Sequence, residues 1–174
     1  KSWKKSEKGK AYIAQKTASV EPAAGPVSGS AVSATANHPM AAYVIHPATG
    51  TVLVDENGEA RMGPASLTKL MTLYLTFDAL KTNRINLQTM VPVSERAWRT
   101  EGSKMFIEVG KQVDVDSLIK GISIVSGNDS CVAISEYLGG TEEGFVQMMN
   151  AKAKDLGMEN THFVNANGLP DPNQ

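Results

Sequence analysis

Between Ile119 and Leu138 the chain carries two apolar helical runs, Ile119 to Val125 and Cys131 to Leu138, broken by Ser126-Gly127-Asn128. Two buried helices must therefore meet at a polar junction too short to leave the core. That requirement restricts the fold more than any other segment does. A glycine between the two polar residues permits a tight or left-handed turn, which would point the Ser126 hydroxyl and the Asn128 amide out of one short loop. Seen alone, the junction reads as a helix-connecting turn with Ser126 or Asn128 as an N-cap.

A second pattern changes that reading. Ser66-Leu67-Thr68-Lys69 lies about sixty residues earlier and sets a hydroxyl and an amine one helical turn apart. A chain of this length holds about one S-x-x-K match by chance, so the spacing needs context. Ser2/Lys5 lies in a lysine-rich, aperiodic terminus that no core fixes in place. Ser117/Lys120 reads as the polar face of a helix, with no hydrogen-bonding residue types converging on it. Around Ser66/Lys69, Leu67, Leu70, Met71, Tyr74 and Leu75 follow the spacing of an amphipathic helix, and Pro64 suits its entry.

The chemistry of such a pair depends on the lysine. A free lysine titrates near about 10.4 and is almost wholly protonated at neutral pH. Burial at a helix start disfavours the cation, leaving an amine that can take the proton of a serine hydroxyl. Free backbone N–H groups at the helix start could help hold an oxyanion. A Ser126 hydroxyl nearby could relay a proton to a leaving amine, and the Asn128 carboxamide could hold a substrate amide.

These motifs resemble the low-molecular-mass penicillin-binding proteins that act as serine-type D-alanyl-D-alanine carboxypeptidases of the peptidase S11 family. The resemblance spans residues 41 to 174, through Ala41 to Val54, Pro64 to Thr72, Ser103 to Gly110, Ser126 to Cys131 and Asn160 to Gly168. It implies Ser66 as the acylated nucleophile, Lys69 as general base, and Ser126 with Asn128 as the S-x-N element. Gly127 resembles the carboxypeptidases, where class A β-lactamases usually carry Asp. The implied substrate is the peptidoglycan stem peptide, with β-lactam antibiotics as inhibitors and a periplasmic or otherwise extracytoplasmic place in the cell envelope. No cofactor or metal is implied. The family's third motif, Lys-Thr-Gly or Lys-Ser-Gly, does not occur in these 174 residues, so the chain reads as an N-terminal part of such a domain. A serine β-lactamase-like hydrolase and a catalytically silent binding fragment remain the alternatives.

Residues 1–40 carry six Lys against two Glu, and residues 41–174 carry eleven basic against sixteen acidic groups. The first segment reads as a basic tail and an Ala/Ser/Pro-rich disordered linker, and the second as one domain. With Trp3 as its one aromatic among the early lysines, the tail does not suggest nucleic-acid binding. No run of eighteen apolar residues spans a membrane, and no signal peptide is visible. Cys131 has no intrachain partner and reads as a small buried hydrophobe. His38, His46 and His162 lack the spacing of a zinc site. Trp98 and Arg99, in a loop from Glu95 to Glu101, are candidates for a groove mouth.

The fold class expected is α+β, a partial transpeptidase-like fold. Tyr43 to Ile45 and Thr51 to Val54 predict a β-hairpin about Pro47 to Gly50. The Ser66 helix, irregular or short-stranded segments over 86–93 and 103–115, and three helices follow. The last begins at Thr141, buries Phe145, Met148, Met149, Ala153 and Leu156, and ends at Gly157.

Overall fold

The computed structural model describes residues 41–174, so the tail and linker expected over 1–40 lie outside the described residues. Those described fall into two units, divided between Gly58 and Glu59. The first is the expected hairpin. Strand β1 (Ala42–Ile45) pairs antiparallel with β2 (Val52–Glu56), Tyr43 opposite Asp55 and Val44 opposite Val54. At the turn the Gly50 amide donates to the His46 carbonyl at 2.9 Å.

The second unit is built around one helix. A 3₁₀ turn (Ala65–Leu67) leads into α1 (Thr68–Lys81); β3 (Met90–Pro92), α2 (Glu95–Arg99), β4 (Gln112–Asp114), α3 (Val115–Val125), α4 (Asn128–Gly139) and α5 (Glu142–Asp155) follow. Helix α4 touches α1, α2, α3, α5 and β3. Its residues from Asn128 to Ser135 are all buried, as a helix enclosed on every side requires. Leu118 and Ile122 of α3, Met71 and Leu75 of α1, and Phe145 and Met149 of α5 close the core around it.

The α+β expectation holds, and the three late helices lie where the periodicity puts them. The segments over 86–93 and 103–115, expected to be irregular or short-stranded, hold the short strands β3 and β4, which pair antiparallel with Val91 opposite Val113. Two details differ. Residues 95–99 are a helix rather than a loop, because Ser94 caps it by accepting the Ala97 amide at 2.9 Å. Leu156 lies past the end of α5 and is exposed.

The largest correction concerns α1. Leu67, Leu70 and Tyr74, expected to face the core, are exposed, whereas Thr68, Lys69, Thr72 and Thr76 are buried beside Met71 and Leu75. The hydrophobic periodicity pointed to the wrong face. Buried threonines are tolerated because each finds a hydrogen-bond partner: Thr76 Oγ1 donates to the Thr72 carbonyl at 2.8 Å, Thr72 Oγ1 donates to the Ala166 carbonyl at 2.6 Å, and Thr68 Oγ1 accepts from Gln174 Nε2 at 3.0 Å.

Candidate active site

Three segments meet at Ser66. The 3₁₀ turn carries Ser66 itself, and α1 carries Lys69 one turn on, with its amine buried. The junction of α3 and α4 brings Ser126. Lys69 Nζ donates to Ser66 Oγ at 3.2 Å, and Ser126 Oγ donates to the same oxygen at 3.2 Å. These three side chains, each singled out by its place in the sequence, form one connected group.

Ser66 sits ahead of α1 rather than inside it. Ala65 adopts a left-handed backbone, φ +46°, and the Leu67 amide donates back to the Pro64 carbonyl at 3.0 Å. That amide is thus occupied, which narrows the supply of free helix-start N–H groups expected for an oxyanion. Ser126 departs from expectation in another way. The serine, not Gly127, takes the left-handed conformation, with φ 56° and ψ 37°, while Gly127 is extended. Space around Gly127 is tight, since a Cβ there would stand 3.0 Å from Asp129 Oδ1 and from Ser130 Oγ. A left-handed serine costs about 1 kcal/mol, and such strain is characteristic of residues whose side chains are aimed for chemistry.

Lys69 has a second partner that the sequence did not reveal. Its Nζ donates to the main-chain carbonyl of Asn167 at 2.7 Å, across ninety-eight residues of sequence. Burial holds the Lys69 ammonium below the usual lysine range, with Cys131 acting weakly the other way. Cys131 lies fully buried one turn into α4, and burial pushes its thiol up to about 12, so it is a neutral SH. The 165–168 loop fits against the turn that carries Ser66 because Gly168 has no side chain: a Cβ there would stand 1.8 Å from the Ala65 carbonyl oxygen. The only sequence signal for this loop is the Asn-Ala-Asn-Gly composition of a turn, which reports no contact with Lys69.

Asn128 is brought to the neighbouring wall. It is 5% exposed, its Nδ2 donates to the Glu101 carbonyl at 2.7 Å, and its amide donates to the Ser103 carbonyl at 2.7 Å. Asp129, not singled out in the sequence, continues this clamp by accepting the amides of Met105 at 3.0 Å and Ile107 at 3.2 Å. The remaining S-x-x-K pair, Ser117/Lys120, is drawn apart: Ser117 Oγ donates to Asp114 and Lys120 pairs with Asp116. Trp98 lies exposed on α2, and Arg99 pairs with Glu95 at 2.6 Å.

Among the described residues no three His, Cys, Asp or Glu side chains gather as a metal would require. None of their helices is long and apolar enough to cross a membrane. The arrangement offers a hydroxyl flanked by a buried amine and a second hydroxyl, which suits acyl transfer through an ester.

The family model described as D-alanyl-D-alanine carboxypeptidase, peptidase S11, matches residues 28–174. The D-alanyl-D-alanine carboxypeptidase DacF of Bacillus subtilis is 43% identical over 143 residues, which is 82% of this chain and 37% of that protein. The crystal structure of the D-alanyl-D-alanine carboxypeptidase DacD from Francisella tularensis superposes with a TM-score of 0.73 at 38% identity, covering 88% of this chain and 39% of that one. Penicillin binding protein 5 from Haemophilus influenzae gives 0.69 at 42% identity, over 72% and 37% of the two chains. The chain thus spans little more than a third of the length of these relatives.

Proposed function

Since this chain belongs to the D-alanyl-D-alanine carboxypeptidase family, we propose that it supplies the acylating half of a serine carboxypeptidase site that acts on peptidoglycan stem peptides in the cell envelope. The observation that carries this reading is the single oxygen, Ser66 Oγ, contacted at 3.2 Å by both Lys69 Nζ and Ser126 Oγ.

In its neutral form, which burial favours, the Lys69 amine takes the proton of Ser66 as Oγ attacks the carbonyl carbon of the penultimate D-alanine. A tetrahedral intermediate forms. Ser126 gives its proton to the departing D-alanine nitrogen and is reprotonated from Lys69, the C–N bond breaks, and an ester to Ser66 remains. Asn128 holds the peptide through its free carboxamide oxygen, the nitrogen being committed to Glu101. Water then attacks the ester, its proton passing back through Lys69, and Ser66 is regenerated. A β-lactam ring would enter by the same first step and leave a penicilloyl ester, as the name of the Haemophilus neighbour suggests.

The test is intact mass of the full chain after incubation with benzylpenicillin. One adduct that disappears in Ser66→Ala and persists in Ser117→Ala and Ser2→Ala is expected. No adduct, or one that survives Ser66→Ala, overturns the assignment. An adduct lost within minutes would favour a β-lactamase-like hydrolase.

A further inference from the structure

Glu142 is a buried carboxylate that the acyl-transfer steps do not use. It opens α5 directly after Thr141, which caps the helix by accepting the Gly144 amide at 3.0 Å. Only 5% of the residue is exposed. A carboxylate removed from water must be matched on both oxygens, and here each oxygen holds a different part of the molecule. Oε2 accepts from Arg96 Nη2 at 2.6 Å, on α2, and Oε1 accepts from the backbone amide of Ala166 at 3.0 Å. Arg96 is itself steadied by Glu143, at 2.7 Å.

The Ala166 contact connects this pair to the site. Ala166 is held at both ends: its amide by Glu142 and its carbonyl by Thr72 Oγ1 at 2.6 Å. The next carbonyl along the chain, that of Asn167, accepts from Lys69 Nζ at 2.7 Å. The loop has no regular secondary structure to fix that carbonyl. Asn165 Oδ1 with the Gly168 amide at 2.7 Å and Asn167 Oδ1 with the Leu169 amide at 2.9 Å shape the loop from within. Gln174 adds a second dock beside Glu142, its Oε1 accepting the Asn165 amide at 3.3 Å and its Nε2 donating to Thr68 Oγ1 at 3.0 Å, but it holds the loop two residues before the Asn167 carbonyl whereas Glu142 holds the residue next to it.

We propose that Glu142 is a positioning residue for Lys69: by fixing the Ala166 amide it sets the Asn167 carbonyl that aims the lysine amine at Ser66. The proposal rests on the reading of Lys69 as the base that activates Ser66. A small misplacement of such a group costs orders of magnitude in rate without weakening binding. Arg96 and Glu142 lie forty-six residues apart in sequence and Glu142 and Ala166 twenty-four, so the link joins three segments.

The experiment uses the full chain and a fluorescent penicillin, with saturation kinetics separating the limiting acylation rate from the dissociation constant. Glu142→Ala is expected to lower the limiting rate about tenfold or more with the dissociation constant changed less than about twofold. Glu142→Gln, which keeps an oxygen for the Ala166 amide, is expected to recover to within about threefold of wild type. Thr72→Val, which releases the other end of Ala166, should lower the rate in the same sense, and it decides the matter if Glu142→Ala does not fold. A folded Glu142→Ala with an unchanged rate overturns the proposal, as does a Glu142→Gln no better than Ala at equal melting temperature. So does a loss that appears only in the fraction labelled, since that is what simple unfolding produces.

A second readout needs no catalysis. Lys69 is acetylated with acetic anhydride at fixed pH, and its peptide mass is compared with that of the exposed Lys154. Release of the Asn167 carbonyl should raise Lys69 acetylation at least about threefold in Glu142→Ala and Thr72→Val relative to wild type. If wild type takes no penicillin but this pattern appears, the proposed function fails and the positioning role stands. If penicillin labels wild type and the Lys69 pattern is flat, the positioning role fails and the function stands.

Discussion

Replacing Gly168 with Ala tests whether the turn that carries Ser66 is seated by the loop behind it. Two costs are combined at this position. Its backbone lies at φ +84°, where an L side chain is strained by about 1 kcal/mol. The added Cβ would also stand 1.8 Å from the Ala65 carbonyl oxygen and 2.9 Å from Thr68 Oγ1. Relieving such an overlap costs about 1–3 kcal/mol, because backbone and not a flexible side chain must give way. The sum is about 2–4 kcal/mol, or about 8–16 °C in melting temperature for a unit of this size. Gly110 separates the two costs. It has φ +75° and nothing within 4 Å of where an added methyl would lie, so Gly110→Ala measures the backbone strain alone, about 4 °C. Scanning calorimetry or thermal circular dichroism on both variants gives the difference directly. We expect Gly168→Ala to melt well below Gly110→Ala and to acylate slowly even when folded, because the turn carrying Ser66 is the part that must move. Equal melting temperatures would refute the close approach of Gly168 to Ala65, and with it the account of how the loop seats the serine.

Two further outcomes follow from the site. Ser126→Gly removes a side chain from a left-handed backbone, so the variant should melt no lower than wild type, with a gain of up to about 1 kcal/mol, while penicillin acylation falls at least about tenfold; a lower melting temperature with full acylation would contradict both halves. Lys69 binds its proton less tightly in the folded state than in the unfolded one. Stability therefore rises with pH between the lowered folded value and the ordinary lysine value of 10.5, and the penalty is fully present below that window. Melting curves of wild type and Lys69→Met from pH 7 to 10 should show the difference moving in favour of wild type as pH increases, and a constant gap would refute it.

The candidate site residues were legible because their proposed chemistry sits in side chains at short spacings. Ser66 and Lys69 are one turn apart, and Ser126 is marked by the break between two apolar runs. The hairpin and the last three helices follow from alternation, turn residues and caps. The buried face of α1 was not legible, because Thr72 and Lys69 on it are satisfied by carbonyls almost a hundred residues away in sequence. A carbonyl leaves no residue type to read, so Asn167 could not be named. Nor could the ion pair of Arg96 with Glu142, whose partners look like ordinary surface charges until α2 and α5 are seen to meet. Intrinsic preference places the left-handed turn at Gly127, and the structure has it at Ser126 instead.

The clamp at the start of α4 has a bearing on how this wall can vary between related proteins. Asn128 and Asp129 grip the segment from Glu101 to Ile107 wholly by its main chain, through two carbonyls and two amides. The exposed side chains of Ser103, Phe106 and Glu108 take no part in that grip. Shape is thus specified by two residues on the helix, and surface chemistry by others on the segment. Drift at the second set can alter what the rim presents without altering where it runs, a division of labour usually credited to loops mounted on a sheet and achieved here by one carboxamide, one carboxylate and one backbone N–H at a helix start.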